Sequence, residues 1–334
     1  MSSIVEAVES PESAGTTPPG FLRDAILRKP QALIGIAIIG AFAVVALLEP
    51  VILSQDAQTK VGPVFQAPSV HHVLGLDGGG ADMLALLIDG ARVSLLVGFA
   101  AAIVSAVIGG VIGLVSGFFG GKTDTILMRF TDYVIVIPDV PLMIVAAALF
   151  GRSLTNIILI IGIIYWTTTA RLIRAQVKSV RERVYVRRAR SLGAGNMRLI
   201  NKHVLPQIAP LLIANTVLLV AYAMFAETFI TFLGLGDPSK ISWGRLIENA
   251  FLDDAILNDA WWAIVPPGVC VAIVVVAATM TGAAIEDSLN PRLAVGHLSV
   301  RRFRMRMLPT MPPRGEAATG AAGASSGKGG RRRR

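Results

Sequence analysis

The sequence predicts an all-α integral membrane protein with six transmembrane helices, and three observations carry that prediction. Hydrophobic residues make up 53% of the chain, charged residues only 16%, and mean hydropathy is +0.64. An ordinary soluble domain is about one quarter charged. The apolar residues are gathered into blocks long enough to cross a hydrocarbon core, which takes roughly 20 helical residues. Lys and Arg concentrate in alternate loops between the blocks, the asymmetry that marks cytoplasmic loops. Most of the net charge of +9 flanks apolar spans. Orientation and anionic headgroups explain it, whereas nucleic-acid binding would need a recognition module that is missing.

In the N-terminal segment 1–30, expected to be cytoplasmic, residues 1–20 are polar and Pro/Ser-rich, without the apolar core or cleavage site of a signal peptide. Arg23, Arg28 and Lys29 then precede the first span, Gln31 to Leu53, which is therefore expected to be retained with its N-terminal side in the cytoplasm. A polar loop, 54–90, follows. Its adjacent His71 and His72 lack further ligands at metal-binding spacing and read as loop residues.

The second span, Val93 to Phe119, carries Gly109, Gly113 and Gly117, with Gly121 just beyond, at a strict four-residue interval. Small residues repeated this way form a groove for close helix packing. The segment Ser116 to Thr123 looks like a phosphate-binding loop, but Ser116 replaces the first Gly and a helix precedes it rather than a strand. Nucleotide binding is excluded on both counts.

The third span, Phe130 to Phe150, opens with Arg129 and Asp132, three residues apart and able to pair on one helix face. Pro138 and Pro141 remove backbone donors and should kink it. Gly151-Arg152-Ser153 permits only a hairpin into the fourth span, Leu154 to Ala170. Residues 171–206 then hold ten Lys/Arg (Arg171, Arg174, Lys178, Arg181, Arg183, Arg187, Arg188, Arg190, Arg198, Lys202) against one acid, Glu182. That is a cytoplasmic loop.

The fifth span, Ile208 to Leu235, contains Glu227. A buried carboxyl there needs a partner or water, so it reads as part of a solute path or as a carboxyl hydrogen-bonded between helices. An acid-rich outer loop, 237–260, leads to the sixth span, Trp262 to Ile285, which begins with Pro266 and Pro267. Trp243, Trp261 and Trp262 read as interfacial aromatics. Cys270 is the single cysteine and allows no intrachain disulfide. The Arg/Pro/Gly-rich segment 291–334 cannot bury a core and is expected to be a disordered cytoplasmic tail, with anionic lipid a possible contact. No Ser/His/Asp, Cys/His or paired-acid set suggests an enzyme. A secondary transporter would show an internal repeat and several intramembrane charges.

Residues Tyr185 to Pro206, YVRRARSLGAGNMRLINKHVLP, resemble the EAA loop of ABC importer permeases. Ala189 matches the last Ala of the triplet, Gly193 the following Gly and Leu205-Pro206 the ending, while Arg187 and Arg188 stand where the family usually has Glu and Ala. His72 to Asp77 (HVLGLD) with Gly90 to Leu95 (GARVSL) is similar to the corresponding stretch of dipeptide/oligopeptide permeases of the C type, with Leu76 in place of the usual Thr. Glu227 to Gly236 (ETFITFLGLG), Ser242-Trp243-Gly244 and Asn290-Pro291-Arg292-Leu293 match further blocks in order.

The resemblance implies a type I importer core over 91–290, following the first transmembrane helix (31–53) and the outer loop (54–90), in a bacterial cell membrane with both termini cytoplasmic. It implies a short coupling helix, Val184 to Leu192, that seats in a cytoplasmic ATPase. Arg187, Ala189, Ser191, Leu192, Gly193 and Pro206 would form that docking loop. Implied partners are a second homologous permease, two ATPase subunits and an extracytoplasmic peptide-binding protein, with ATP and Mg used by the ATPases and no cofactor on this chain. The cargo is expected to be dipeptides or oligopeptides; nickel, glutathione or another small solute is the alternative within the same family.

Overall fold

The computed structural model describes residues 29–53 and 56–289. Arg23, Arg28, the whole Asn290 to Leu293 block and the 291–334 tail lie outside those residues. Among the described residues the structure is helical, with two isolated β-bridges in the outer loop, Lys60 with Ala81 and Leu76 with Asp82. Five helical stretches are long and apolar enough to cross a membrane, and a bent pair, counted as one broken span, brings the number to six.

Helix α1 is Pro30–Ile52, with Pro30 in its first turn, where the missing N–H costs nothing. Helix α2, Met83–Phe119, starts ten residues before the expected second span. The Asp82 side chain caps it by accepting from the Leu84 and Ala85 N–H groups. Asp89 and Arg92 look like loop residues in sequence, but both lie within this helix, and Arg92 pairs with Glu49 of α1 at 3.1 Å. The expected boundary at residue 90 thus falls inside α2.

The third span is broken more sharply than a kink. Helix α3, Gly121–Val136, ends at Ile137, and α4, Asp139–Phe150, restarts after Pro138 at an angle of 86°. Proline disfavours a helical conformation in the residue before it and cannot donate to the turn. Helix α5, Leu154–Arg181, runs eleven residues past the expected end of the fourth span. Arg171, Arg174, Lys178 and Arg181 are spaced three or four apart on this extension. Arg174 meets Asp124 through Nε at 2.5 Å and Nη2 at 2.8 Å, and Lys178 meets the same carboxylate at 2.7 Å. Arg171 takes Asp132 at 2.6 Å, so Asp132 pairs across helices instead of with Arg129. The Arg181 guanidinium donates to the Phe118 carbonyl at 3.0 Å and caps the end of α2. Charges that read as an orientation signal therefore also fasten α2 and α3 to α5.

The α2–α5 contact depends on the glycine groove. A Cβ at Gly109 would stand 2.5 Å from the Trp166 carbonyl oxygen, and one at Gly113 would stand 2.5 Å from that of Ala170. At Gly117 it would lie 2.8 Å from the Val177 Cβ. Gly121 departs from this row. It opens α3 with φ +55, and nothing lies within 4 Å of its Cβ position. Ser116 donates to Asp124 at 2.5 Å, which commits the phosphate-loop look-alike to holding α2 and α3 together.

Helix α6, Val184–Ser191, and α7, Asn196–Leu199, lead through a π-helical turn, Ile200–Val204, into α8, Leu205–Ile230. A second π turn, Thr231–Leu235, ends that rod, with Gly234 at φ +79. The outer loop holds an unforeseen helix, α9, Trp243–Leu252, and α10, Val265–Leu289, completes the described chain. Two of the three tryptophans expected at the interface are buried instead. Trp243 is fully buried and donates from Nε1 to the Leu87 carbonyl at 3.0 Å, while Trp262 donates to that of Leu76 at the same distance. Each indole N–H has a backbone acceptor, so the ring is buried without stranding a polar group. His72 pairs with Asp82 at 2.7 Å, and no metal-ligand cluster occurs among the described residues.

Candidate functional site

Two places follow from the candidate residues: the α6 segment on the side of the basic loop, and the surroundings of Glu227. Helix α6 has only two turns and could not persist alone. It is held by one face. Val186 is completely buried in a cluster with Phe118, Ile173, Val177, Val180, Leu199 and Val204, and Ala189 packs half-buried against the same cluster. The Arg190 guanidinium lies over the Phe118 ring, 5.6 Å from its centroid. Arg188 and Arg190 occupy the last turn, where cations complement the helix dipole.

Gly193 ends the helix. Its φ is +84, its N–H donates to the Arg190 carbonyl at 3.0 Å, and the Ala194 N–H reaches back to that of Ala189 at 3.1 Å. This is a Schellman ending, which favours glycine at the left-handed residue and an apolar contact across the turn. Ala189 and Ala194, on either side of the turn, both pack against the same buried cluster.

The outward face differs from the one expected from the small residues. Ala189 faces the chain's own core, so its small size serves internal packing. Exposed are Val184, Arg187, Arg188, Ser191 and Leu192, which line a single open groove, with Leu192 88% exposed. Val184, Arg187, Arg188 and Ser191 stand at i, i+3, i+4 and i+7, a spacing that places all four on one helix face. Pro206 is exposed in the first turn of α8, just after the π turn.

Glu227 is 2% exposed within α8. Its carboxyl accepts from Thr231 Oγ1 at 3.1 Å, Ser94 Oγ at 3.3 Å and Thr228 Oγ1 at 3.5 Å. Ser94, on α2, in turn accepts the Trp243 backbone N–H at 3.0 Å. The Thr228 hydroxyl donates chiefly to the Met224 carbonyl at 2.9 Å, so Thr231 and Ser94 are the hydroxyls that satisfy a polar group otherwise costly to bury. These contacts tie α2, α8 and the start of α9 into one knot. The geometry is that of a carboxyl hydrogen-bonded between helices. The partners Ser94, Thr231 and Trp243 lie too far away in sequence, or carry too common a side chain, for the sequence to single them out.

On the opposite side, Asp237 accepts from the Ser239 hydroxyl at 2.7 Å and the Leu154 N–H at 3.1 Å. These hydrogen bonds, from Ser239 first, hold its carboxyl below the usual carboxylate range. Through Leu154 it satisfies an unpaired donor in the first turn of α5.

Comparison with known proteins fits this architecture. Residues 109–295 match the family described as "Binding-protein-dependent transport system inner membrane component". A peptide transport system permease protein of Brucella suis biovar 1 is 34% identical over 284 residues, covering 84% of this chain and 94% of the relative. The oligopeptide transport system permease protein OppC of Bacillus subtilis is 32% identical over 276 residues, covering 81% and 90%. A peptide permease protein of Brucella ovis is 31% identical over 281 residues, covering 84% and 93%. Six apolar spans, a short helix seated under them and these matches across most of the chain lead to one conclusion: the chain belongs to the permeases that form the inner membrane components of binding-protein-dependent transport systems.

Proposed function

We propose that this chain forms half of the translocation path of an ATP-driven importer of dipeptides or oligopeptides, in a bacterial inner membrane with both termini cytoplasmic. The relatives named as peptide permeases support the cargo. A second permease of similar fold supplies the other half, two ATPase subunits hydrolyse ATP with Mg, and an extracytoplasmic binding protein delivers the peptide. This chain itself binds no cofactor and catalyses no reaction.

The observation that carries the proposal is α6. Its inner face is anchored by Val186, its end is fixed by Gly193, and Val184, Arg187, Arg188, Ser191 and Leu192 remain uncovered in one groove. Such a helix is a rigid knob, ready to seat in an ATPase and pass its closure to α5. The binding protein would meet the outer side, where Phe251, Leu252, Ile256 and Leu257 are exposed next to Asp253, Asp254 and Asp259.

Substitution of the exposed face tests the docking without straining the turn. Arg188→Glu combined with Leu192→Glu is expected to reduce co-purification of the ATPase at least about tenfold, the effect of losing roughly 1.4 kcal/mol. The permease should stay in the membrane at its normal level. Undiminished ATPase binding and peptide uptake would remove α6 from the interface.

A further inference from the structure

The break between α3 and α4 opens a cavity of 270 Å³, lined among others by Pro138, Asp139, Leu142, Tyr165 and Thr168. Its depth follows from helix geometry. Tyr165 lies eleven residues below the outer end of α5, about 17 Å at 1.5 Å per residue. Asp139 lies eleven residues from the outer end of α4, so the two reach a similar level. With those helix ends at the membrane surface and the helices along its normal, both would stand near the middle of a hydrocarbon core about 30 Å thick. Tyr222 of α8 joins the same face, its ring centroid 6.3 Å from that of Tyr165.

The cavity wall is largely apolar (Val134, Ile135, Ile137, Leu142 and Ile164), and the chain itself does not cover the polar groups set in and beside it. Asp139 and Thr168 are exposed, and Tyr222 is 62% exposed. Among the described residues the Asp139 carboxylate accepts the Val140 N–H of its own turn at 2.9 Å and enters no ion pair. A carboxylate facing lipid at that depth costs about 2.5–3.5 kcal/mol or more, so intramembrane acids face water-filled cavities and mark solute paths. The Glu227 carboxyl, by contrast, is buried and accepts from the Ser94 and Thr231 hydroxyls. Of the two acids, Asp139 is the one accessible to a solute, and it lacks a cation.

We infer that Asp139, with Tyr165 and Tyr222 beside it, is a transient binding site in the translocation path for the cationic amino terminus of the peptide. The carboxylate takes the ammonium through a charge-assisted hydrogen bond, and the tyrosines offer ring surface and hydroxyls to the residues behind it. The broken helix leaves this carboxylate at a helix start, free of interhelical partners. This inference rests on the peptide-importer reading.

The test uses the complete importer in proteoliposomes, with its ATPase subunits and binding protein, and a dipeptide with a free amino terminus as the probe. Asp139→Asn is expected to slow ATP-dependent uptake about tenfold while binding-protein-stimulated ATP hydrolysis stays within about twofold of normal. Asp139→Glu should restore most of the uptake. In a Cys270→Ser background, Tyr222→Cys should react with a membrane-impermeant thiosulfonate, which needs no peptide and reports the aqueous path directly. Uptake by Asp139→Asn at the wild-type rate, equal failure of Asn and Glu, or an unreactive Tyr222→Cys would each overturn the site. Absence of any peptide accumulation by the wild-type importer would defeat the importer reading itself, and the site with it.

Discussion

Gly113→Ala is a sharp test of how the bundle is assembled, because it adds one methyl group at the closest approach of two backbones. The new Cβ would stand 2.5 Å from the Ala170 carbonyl oxygen, 3.0 Å from the Arg174 nitrogen and 3.0 Å from the Ile173 Cβ. No side-chain rotation relieves a clash with backbone, so α5 must move away from α2. Overpacking of this kind costs about 1–3 kcal/mol. Alanine also gains about 1 kcal/mol of helix propensity over glycine, and a control is needed to cancel that gain. Gly40 in α1 provides it, since nothing lies within 4 Å of its Cβ position. The difference between Gly113→Ala and Gly40→Ala is then the packing cost alone. At roughly 2–4 °C per kcal/mol, Gly113→Ala should melt about 2–12 °C below Gly40→Ala when thermal unfolding is followed in mild detergent. Gly109→Ala added to Gly113→Ala should cost less than the sum of the two, because one displacement of α5 relieves both contacts. Equal melting of the Gly113 and Gly40 variants would refute the argument that the groove sets the α2–α5 distance.

Three further outcomes follow from the polar contacts. Asp124→Asn removes the shared counterion of Arg174 and Lys178 and should destabilise the protein by about 1–3 kcal/mol, while Asn in place of the exposed Asp254 in the same melting assay should change little. Because hydrogen bonds lower the folded-state pKa of Asp237, its contribution is complete above the unfolded value of about 3.9. It is lost as pH falls below that value and through the folded one. Wild-type melting temperature should therefore drop over that acid window more steeply than in Asp237→Asn, and parallel curves would contradict it. Gly193→Ala should cost about 1 kcal/mol, because φ +84 penalises any Cβ, and Gly193→Asn should cost less, since asparagine tolerates the left-handed region.

Most of the architecture was legible in the order of apolar blocks, because backbone in lipid must satisfy its own hydrogen bonds and long helices do so. The ends of those helices were not. Asp89 and Arg92 interrupt the hydropathy of α2, yet Arg92 finds Glu49, and the helix continues through them. Arg171 to Arg181 read as loop, yet Asp124, Asp132 and the Phe118 carbonyl supply partners, and α5 continues. Hydropathy assigns a charge to water, whereas a partner from another helix makes it compatible with the bundle. The same limit applies to α6. Its helix and glycine turn were legible from local chemistry, but the inward direction of Ala189 depends on Val186 and a cluster drawn from four other segments. Trp243 and Trp262 looked interfacial because their acceptors, the Leu87 and Leu76 carbonyls, lie more than 150 residues away.

The contacts also suggest how a push at α6 would reach the path. Val186 of α6 and Ile173, Val177 and Val180 of α5 share one buried cluster, so displacement of α6 acts first on the lower end of α5. That helix is 28 residues long, and Tyr165 of the cavity lies along it. Asp124 and Asp132 tie α3 to the lower half of α5, while Met143 and Ala147 of α4 pack with Ile157, Ile160 and Ile161 in its upper half. A tilt of α5 would thus carry both arms of the broken span, and the strain would fall where the backbone is least braced, between Val136 and Asp139. Proximity alone does not establish coupling; a mobile element that both ends can bias is required. Ile137-Pro138 meets that requirement on structural grounds, because no helical hydrogen bonding crosses it to resist a change in the 86° angle. The break that exposes Asp139 is therefore also the place where movement of α6 would change what Asp139 faces.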